Sequence, residues 1–399
     1  MPARDGRHDF DFIHGRWQVH NQRLRQRLAG SSDWELFEAQ DECRPLLGGV
    51  GNLEEFHTDW DGGYEGLALR LYDPAASEWR IHWASNRSGR LDPPVLGRFE
   101  NGVGTFYGND VHQGQPVRVR FEWSHASTHG AHWQQAFSVD DGATWETNWH
   151  MWFRLLGDDG RLVHEDNVIE LRQYVLQPGQ REVLIELFER EFVETQEAVG
   201  MHVIGQFRDL DDPDRFVWLR GFASMDARRE ALQAFYFGPV WQRHREQANA
   251  TMIDSDNVLL LRPAAADAGL MPTAAPRPAI GAAASAGALC LGICSLDASA
   301  ELGFALRFDR QLAPLLQQHG ANLIARYVTD ASANTFPRLP VREDVRVFVW
   351  IARFDDVAQM DTHLQALRAG PAWAQALGDG LTAPPQMLRL VPTARSELR

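Results

Sequence analysis

Glu170, Arg172, Tyr174, His202, Gln206, Arg208, Trp218 and Arg220 are of types that bind an oxyanion or move its proton. If residues 168–176, VIELRQYVL, form a strand, the period of two puts Glu170, Arg172 and Tyr174 on one face and Ile169, Leu171 and Val175 on the other. By the same spacing HVIGQFRD presents His202, Gln206 and Arg208 together, and FVWLRGF presents Phe216, Trp218, Arg220 and Phe222. Guanidinium groups hold carboxylates and enolates by paired hydrogen bonds, and a nearby His or Glu supplies a base. The apolar face of the first strand suits packing on helices, so the charged face is expected to look into the space between two sheets. In that setting His202 or Glu170 is the candidate base, and Arg172 or Arg220 the oxyanion partner. The competing reading is an ion-pair network of Glu170, Arg172 and Arg220 that only closes the structure.

The composition removes other chemistries. All 39 basic residues are Arg, so a phosphate-binding loop, a Schiff-base enzyme and a kinase-type transfer each lack their usual Lys. Against 54 acidic residues they leave a net charge of -15, which repels a phosphate backbone and predicts no nucleic-acid partner. The start, MPARDGRHDF, is polar, and the run from Ala279 to Leu296 is mostly Ala, Gly and Ser, so neither a signal peptide nor a membrane span is expected and the expected location is the cytoplasm. Three Cys make no disulfide framework, and CxxxC at Cys290 and Cys294 has no second ligand pair for a metal. No GxSxG, HExxH or dinucleotide-binding glycine pattern appears in a supporting context.

These elements must sit on a scaffold, and with 399 residues two or three domains are expected. Residues 1–158 hold ten of the 14 Trp and read as nine or ten short alternating segments between Gly, Asn, Asp and Pro turns. A closed antiparallel barrel solves the edge problem for so many strands, with a β-sandwich as the alternative. The segment FIHGRWQV carries GxW (Gly15, Trp17) and resembles the first strand of lipocalin-like (calycin) barrels, in which the Trp plugs one end. HDFDFIH is then expected to close one barrel mouth. SVDDGATW (138–145) resembles the Asp-box pattern, and a single copy reads as a hairpin device. Mid-strand His82, His132 and His150 are the residues that would hold a haem if this barrel were of the nitrobindin kind; no cofactor is expected otherwise.

After the polar loop GDDGRLVHED the order becomes strand, helix, strand, strand, helix, strand, a ferredoxin-like α+β unit over 166–264. The unit returns 132 positions later: FVWLRGF (216–222) as FVWIARF (348–354), LQA (232–234) as LQA (364–366), and GPVW (238–241) as GPAW (370–373). One common offset implies a second, divergent copy over 287–394. Between the copies, residues 265–286 are rich in Ala, Pro and Gly and read as a linker that does not pack.

VIELRQYVLQPG, GQFRDLDDPDRFVWLRGF and FYFGPVWQRHREQANATMIDSDNVLLLRP resemble the NIPSNAP family, which implies the dimeric α+β-barrel version of the ferredoxin-like fold. With both copies in one chain, that barrel is expected to close internally, as a monomer with an internal pseudo-dimer or as a homodimer. The fold class expected is therefore multidomain, with a lipocalin-like β-barrel followed by two ferredoxin-like repeats forming an intrachain α+β barrel. The family implies no defined reaction. The expected function is binding of a small acidic or aromatic molecule in the barrels through Glu170, Arg172, Tyr174, His202, Gln206, Arg208, Trp218 and Arg220. The alternative is an enzyme using the inter-sheet cavity, either cofactor-independent and monooxygenase-like or haem-dependent, by analogy with fold relatives.

Overall fold

A computed structural model describes all residues except 1–4, 125–129, 159, 161–162, 164–165, 266–267, 271–276 and 298. Half of the polar loop GDDGRLVHED and part of the 265–286 linker thus lie outside the described residues. Two compact units emerge, Met1–Val163 with Ala198–Gly200, and His164–Glu197 with Met201–Arg399.

The first unit is a closed antiparallel barrel of ten strands: β1 (Gly15–Leu24), β2 (Trp34–Leu46), β3 (Gly51–Thr58), β4 (Tyr64–Asp73), β5 (Glu78–Ser85), β6 (Val95–Glu100), β7 (Val103–His112), β8 (Gln115–Ser124), β9 (Gly130–Ser138) and β10 (Glu146–Leu156). Each strand pairs with its sequence neighbour, and β10 closes on β1 with Trp17 opposite Leu155 and Arg23 opposite Trp149. Alternation sends Trp79 and Ile81, Val117 and Val119, and Trp133 and Met151 into the lumen. The N-terminal segment closes one end. Phe10 is fully buried and meets Trp79, Phe99 and Trp123 edge-on at 5.0, 5.0 and 5.8 Å, while Trp17 donates from its indole nitrogen to the Ile13 carbonyl at 2.7 Å. In the Asp-box turn Asp140 accepts from the Thr144 backbone at 2.8 Å and the Trp145 indole donates to Gly142 O, so this motif is a hairpin device.

The second unit contains the two α+β repeats. The first runs β11 (Val168–Leu176), α1 (Arg181–Leu187), a π-helical turn (Phe188–Phe192), α2 (Val193–Ala198), β12 (His202–Asp209), β13 (Arg215–Phe222), α3 (Met225–Phe237), α4 (Pro239–Ala250), the short β14 (Met252–Asp254) and β15 (Val258–Pro263). The second runs β16 (Ala288–Ser295), α5 (Glu301–Arg307), a π-helical turn (Phe308–Leu312), α6 (Ala313–Gln318), β17 (Asn322–Thr329), β18 (Val347–Phe354), α7 (Val357–Arg368), α8 (Ala372–Leu377) and β19 (Gln386–Pro392). A π-helical turn at the same place in both copies supports duplication where the two sequences have diverged. Strands β15, β11, β13 and β12 form one sheet, and β19, β16, β18 and β17 the other. Pairing of β12 with β19 and of β15 with β17 closes them into one eight-stranded antiparallel barrel within the chain.

Ile169, Leu171, Phe207, Val217, Leu219 and Leu261 from the first copy meet Leu289, Leu291, Val349, Ile351, Leu388 and Leu390 from the second in a single apolar core. The barrel interior is therefore packed hydrocarbon. The 265–286 segment departs from the expected non-packing linker: Ala268 is buried, and Arg277 donates to Val203 O and Arg395 O and pairs with Glu197 and Glu397. Small residues allow close approach, and one Arg supplies the anchoring bonds.

Candidate functional site

The charged residues of the first repeat do come together, but on the opposite face from the one expected. Ile169 and Leu171 point into the barrel, so Glu170, Arg172 and Tyr174 point outward beneath the helices. Both faces of β11 are buried, and the period of two assigns residues to faces without saying which face the helices cover. Glu170 is fully buried and takes three guanidiniums: Arg172 at 2.6 Å, Arg220 at 2.7 Å and Arg228 at 2.6 Å. Arg172 Nε also donates to the Tyr174 hydroxyl at 2.9 Å, and Arg220 Nη1 donates to Gln196 Oε1 at 3.0 Å. Both guanidiniums lie over the Trp218 ring, at 5.6 and 5.0 Å from its centroid. Burial opposes ionisation of Glu170, but Arg220, Arg172 and Arg228 outweigh it and hold its carboxyl well below the usual carboxylate range.

Three members of the expected set fall elsewhere. An irregular pairing between Val203 and Gly205 puts His202 opposite Gly221, on the other side of the sheet from Gln206, which faces Trp218. There His202 contacts Asp166 at 2.6 Å and Glu397 at 3.1 Å. Gln206 lies against the C-terminal segment, its backbone nitrogen bonded to Ser396 Oγ at 3.2 Å. Arg208 turns to a half-open position and pairs with Glu182 at 2.6 Å. Sequence reasoning missed Arg228, Gln196 and Tyr236, which join the cluster from helices. Arg228 is the fourth residue after the N-cap Ser224 of α3, a buried-face position that the helical period marks.

The second repeat occupies the same sheet positions without charge. Its register aligns Cys290 with Ala352 and Gly292 with Trp350, where the first copy has Glu170 with Arg220 and Arg172 with Trp218. A side chain at Gly292 would meet the Trp350 indole within 2.1 Å, so the ring fills the volume that Arg172 takes in the first copy.

Open space lies in the ten-stranded barrel. A cavity of about 130 Å³ is walled by Phe56, Trp83, Phe121, Trp123, Trp133 and Trp149, with Asp92, Asn109 and Asp110 among its polar lining groups. Glu54 and Arg70 line it too and form a buried ion pair, and Arg70 also donates to Asn52 Oδ1 at 3.0 Å. Asp41 is 3 % exposed with neither carboxylate oxygen hydrogen-bonded. Burial first, then the Glu54 charge, push its pKa well above the ordinary carboxylate value. Arg23 and Arg27 stack on Trp149, and Arg23 is paired with Glu35. Among the described residues the α+β barrel interior is packed by its core, whereas the N-terminal barrel encloses this cavity.

The haem candidates do not reach this cavity. Trp133 and Met151 face the lumen, so His132 and His150 face outward, where they contact each other at 3.0 Å and stack on Trp152. His82 is likewise on the outer side, between lumen-facing Ile81 and Trp83. Burial pushes His150 down to about 4. Among the described residues no group of three or more His, Cys, Asp or Glu is arranged to hold a metal, and no helix is long and apolar enough to cross a membrane.

Residues 169–266 match the NIPSNAP family model. That NIPSNAP domain spans the first repeat and carries the Glu170 network. An uncharacterized NIPSNAP-like domain protein from Burkholderia xenovorans is similar at 19 % identity over 27 % of this chain and 87 % of its own, with a TM-score of 0.22. A monooxygenase-type protein from Lactobacillus acidophilus NCFM is similar at 11 % identity over 57 % of this chain and 94 % of its own, TM-score 0.36. A DypB variant of Rhodococcus jostii RHA1 in complex with heme is similar at 10 % identity over 59 % and 96 %, TM-score 0.37. No curated protein matches the chain.

Proposed function

We propose that this protein binds a small, single-ring aromatic molecule in its N-terminal barrel, with the NIPSNAP domain forming one half of a second, filled barrel. The observation that carries this reading is the cavity of about 130 Å³ walled by four indoles and two phenyl rings. A dry apolar cavity of roughly 150 Å³ accommodates benzene, so one ring fits and a fused polycycle does not. The aromatic walls supply most of the binding, and a few polar groups orient the ligand. Arg70 is already engaged by Glu54 and Asn52, and Asp92 and Asp110 disfavour an anion, so of the two expected ligand types the aromatic one fits better. An enzyme working between the sheets of the eight-stranded barrel has its space taken by the core of leucines and isoleucines.

Ala68 lines the cavity and is buried, so Ala68→Phe puts a phenyl ring where the ligand would sit. Titrating the full chain with phenol is expected to change tryptophan emission saturably in the wild type, and the Ala68→Phe variant is expected to lose that response. An equal response in both, or none in the wild type, defeats the proposal.

A further inference from the structure

The buried cluster in the NIPSNAP domain has more positive charge than its partners among the described residues neutralise. Arg172, Arg220 and Arg228 are 1 %, 0 % and 0 % exposed, and they share the single carboxylate of Glu170. Their other partners are neutral: the Tyr174 hydroxyl, Gln196 Oε1, Met201 Sδ, Asn334 Oδ1 and Thr335 Oγ1. Arg228 Nη2 is buried without a hydrogen bond. Burying unneutralised charge is costly, and buried charges are ordinarily paired. Arginine cannot shed its proton to relieve the excess.

A space of about 30 Å³ lies beside the cluster; Tyr174, Gln196, Trp218 and Tyr236 stand between it and the arginines, and its remaining walls are apolar or aromatic, Phe188, Phe192 and Trp241 among them. Each of the four touches a guanidinium: Tyr174 and Gln196 by hydrogen bonds, and Trp218 and Tyr236 by their ring faces. Trp218 is 2 % exposed and its Nε1–H donor is unpartnered. The Tyr174 oxygen accepts from Arg172, which leaves its own O–H free to donate. Such a space exceeds the minimum for one water-sized occupant.

We propose that this space holds a monatomic anion, chloride or bromide, bound by the Trp218 and Tyr174 donors and neutralising part of the arginine excess. The second repeat provides the control. Trp350 also has an unpartnered indole nitrogen, yet it stands over Gly292 and beside Ala352 where the first copy has Arg172 and Arg220, so no anion is expected there.

The test uses the full chain, comparing chloride with gluconate at constant ionic strength. Chloride is expected to raise Tm progressively with its concentration and to show a broadened ³⁵Cl resonance in the presence of the protein. Both effects should disappear in the double variant Trp218→Phe, Tyr174→Phe and persist in Trp350→Phe. Should the double variant not fold, crystals of the wild type grown in bromide decide the matter: an anomalous peak beside Trp218 Nε1 is expected. Equal Tm in chloride and gluconate, effects that survive the double variant, or bromide crystals without that peak would each overturn the proposal.

Discussion

Replacing Glu170 by Gln removes the one carboxylate that, among the described residues, pairs with three buried guanidiniums, while keeping size and shape. The amide still accepts at one oxygen, but it places an N–H₂ where Arg220 or Arg228 now finds an anion. Breaking a buried ion pair from one side costs about 3–5 kcal/mol, because the remaining charge stays buried without compensation. For a unit of this size each kcal/mol lowers Tm by roughly 2–4 °C, so a fall on the order of 10 °C is expected in the transition of the α+β unit. Urea denaturation at pH 7 followed by circular dichroism measures it directly. The pH dependence adds a sign. The Glu170 carboxyl is depressed in the folded state, so its contribution is present above the ordinary carboxylate range and is lost as pH falls toward the folded value. The gap between wild type and Glu170→Gln should therefore be wide at pH 7 and narrow in strong acid. A folded Glu170→Gln protein within about 1 kcal/mol of wild type at pH 7 would refute the reasoning, since the Glu170 charge would then contribute little to holding the three arginines.

Burial works against the charge of His202, but Asp166 and Glu397 outweigh it and hold its pKa up at about 10. A raised value stabilises the fold fully below about pH 6.5 and loses that contribution as pH rises toward 10, so urea midpoints at pH 6 and pH 10 should differ more in wild type than in His202→Gln. Gly292→Ala places a methyl group within 2.1 Å of the fully buried Trp350 indole and should cost about 1–3 kcal/mol; adding Trp350→Leu should recover part of that loss, and thermal melts of the single and double variants check both. Arg70→Met leaves Glu54 and Asp41 together without a cation and should lower the barrel's melting temperature, and Glu54→Gln in the same chain should restore some of it.

Much of this architecture is legible in the residues themselves. Alternation of large apolar and polar side chains in a Trp-rich stretch bounded by turns favours a closed antiparallel barrel over a β-sandwich, because closure leaves no exposed edges, and the structure has that barrel. The recurrence of FVWLRGF as FVWIARF and of GPVW as GPAW leads to the expectation of two like folding units, and two sets of elements in the same order are joined by pairing of β12 with β19 and β15 with β17. The grouping of Glu170, Arg172 and Tyr174 with Arg220 follows from strand period and register alone. What the sequence does not encode locally is the side of the sheet on which that group lies. Both faces of β11 are buried, one by strands from the other copy and one by helices, and burial energy is nearly indifferent to which apolar surface a leucine meets. Only the tertiary structure brings Arg228 and Gln196 onto Glu170 and Arg220, sends His202 across the sheet through one irregular pairing, and fills the α+β barrel while leaving the other barrel hollow. Lumen volume depends on strand tilt and on how large side chains from ten strands share one interior, a sum over distant residues that no local pattern contains.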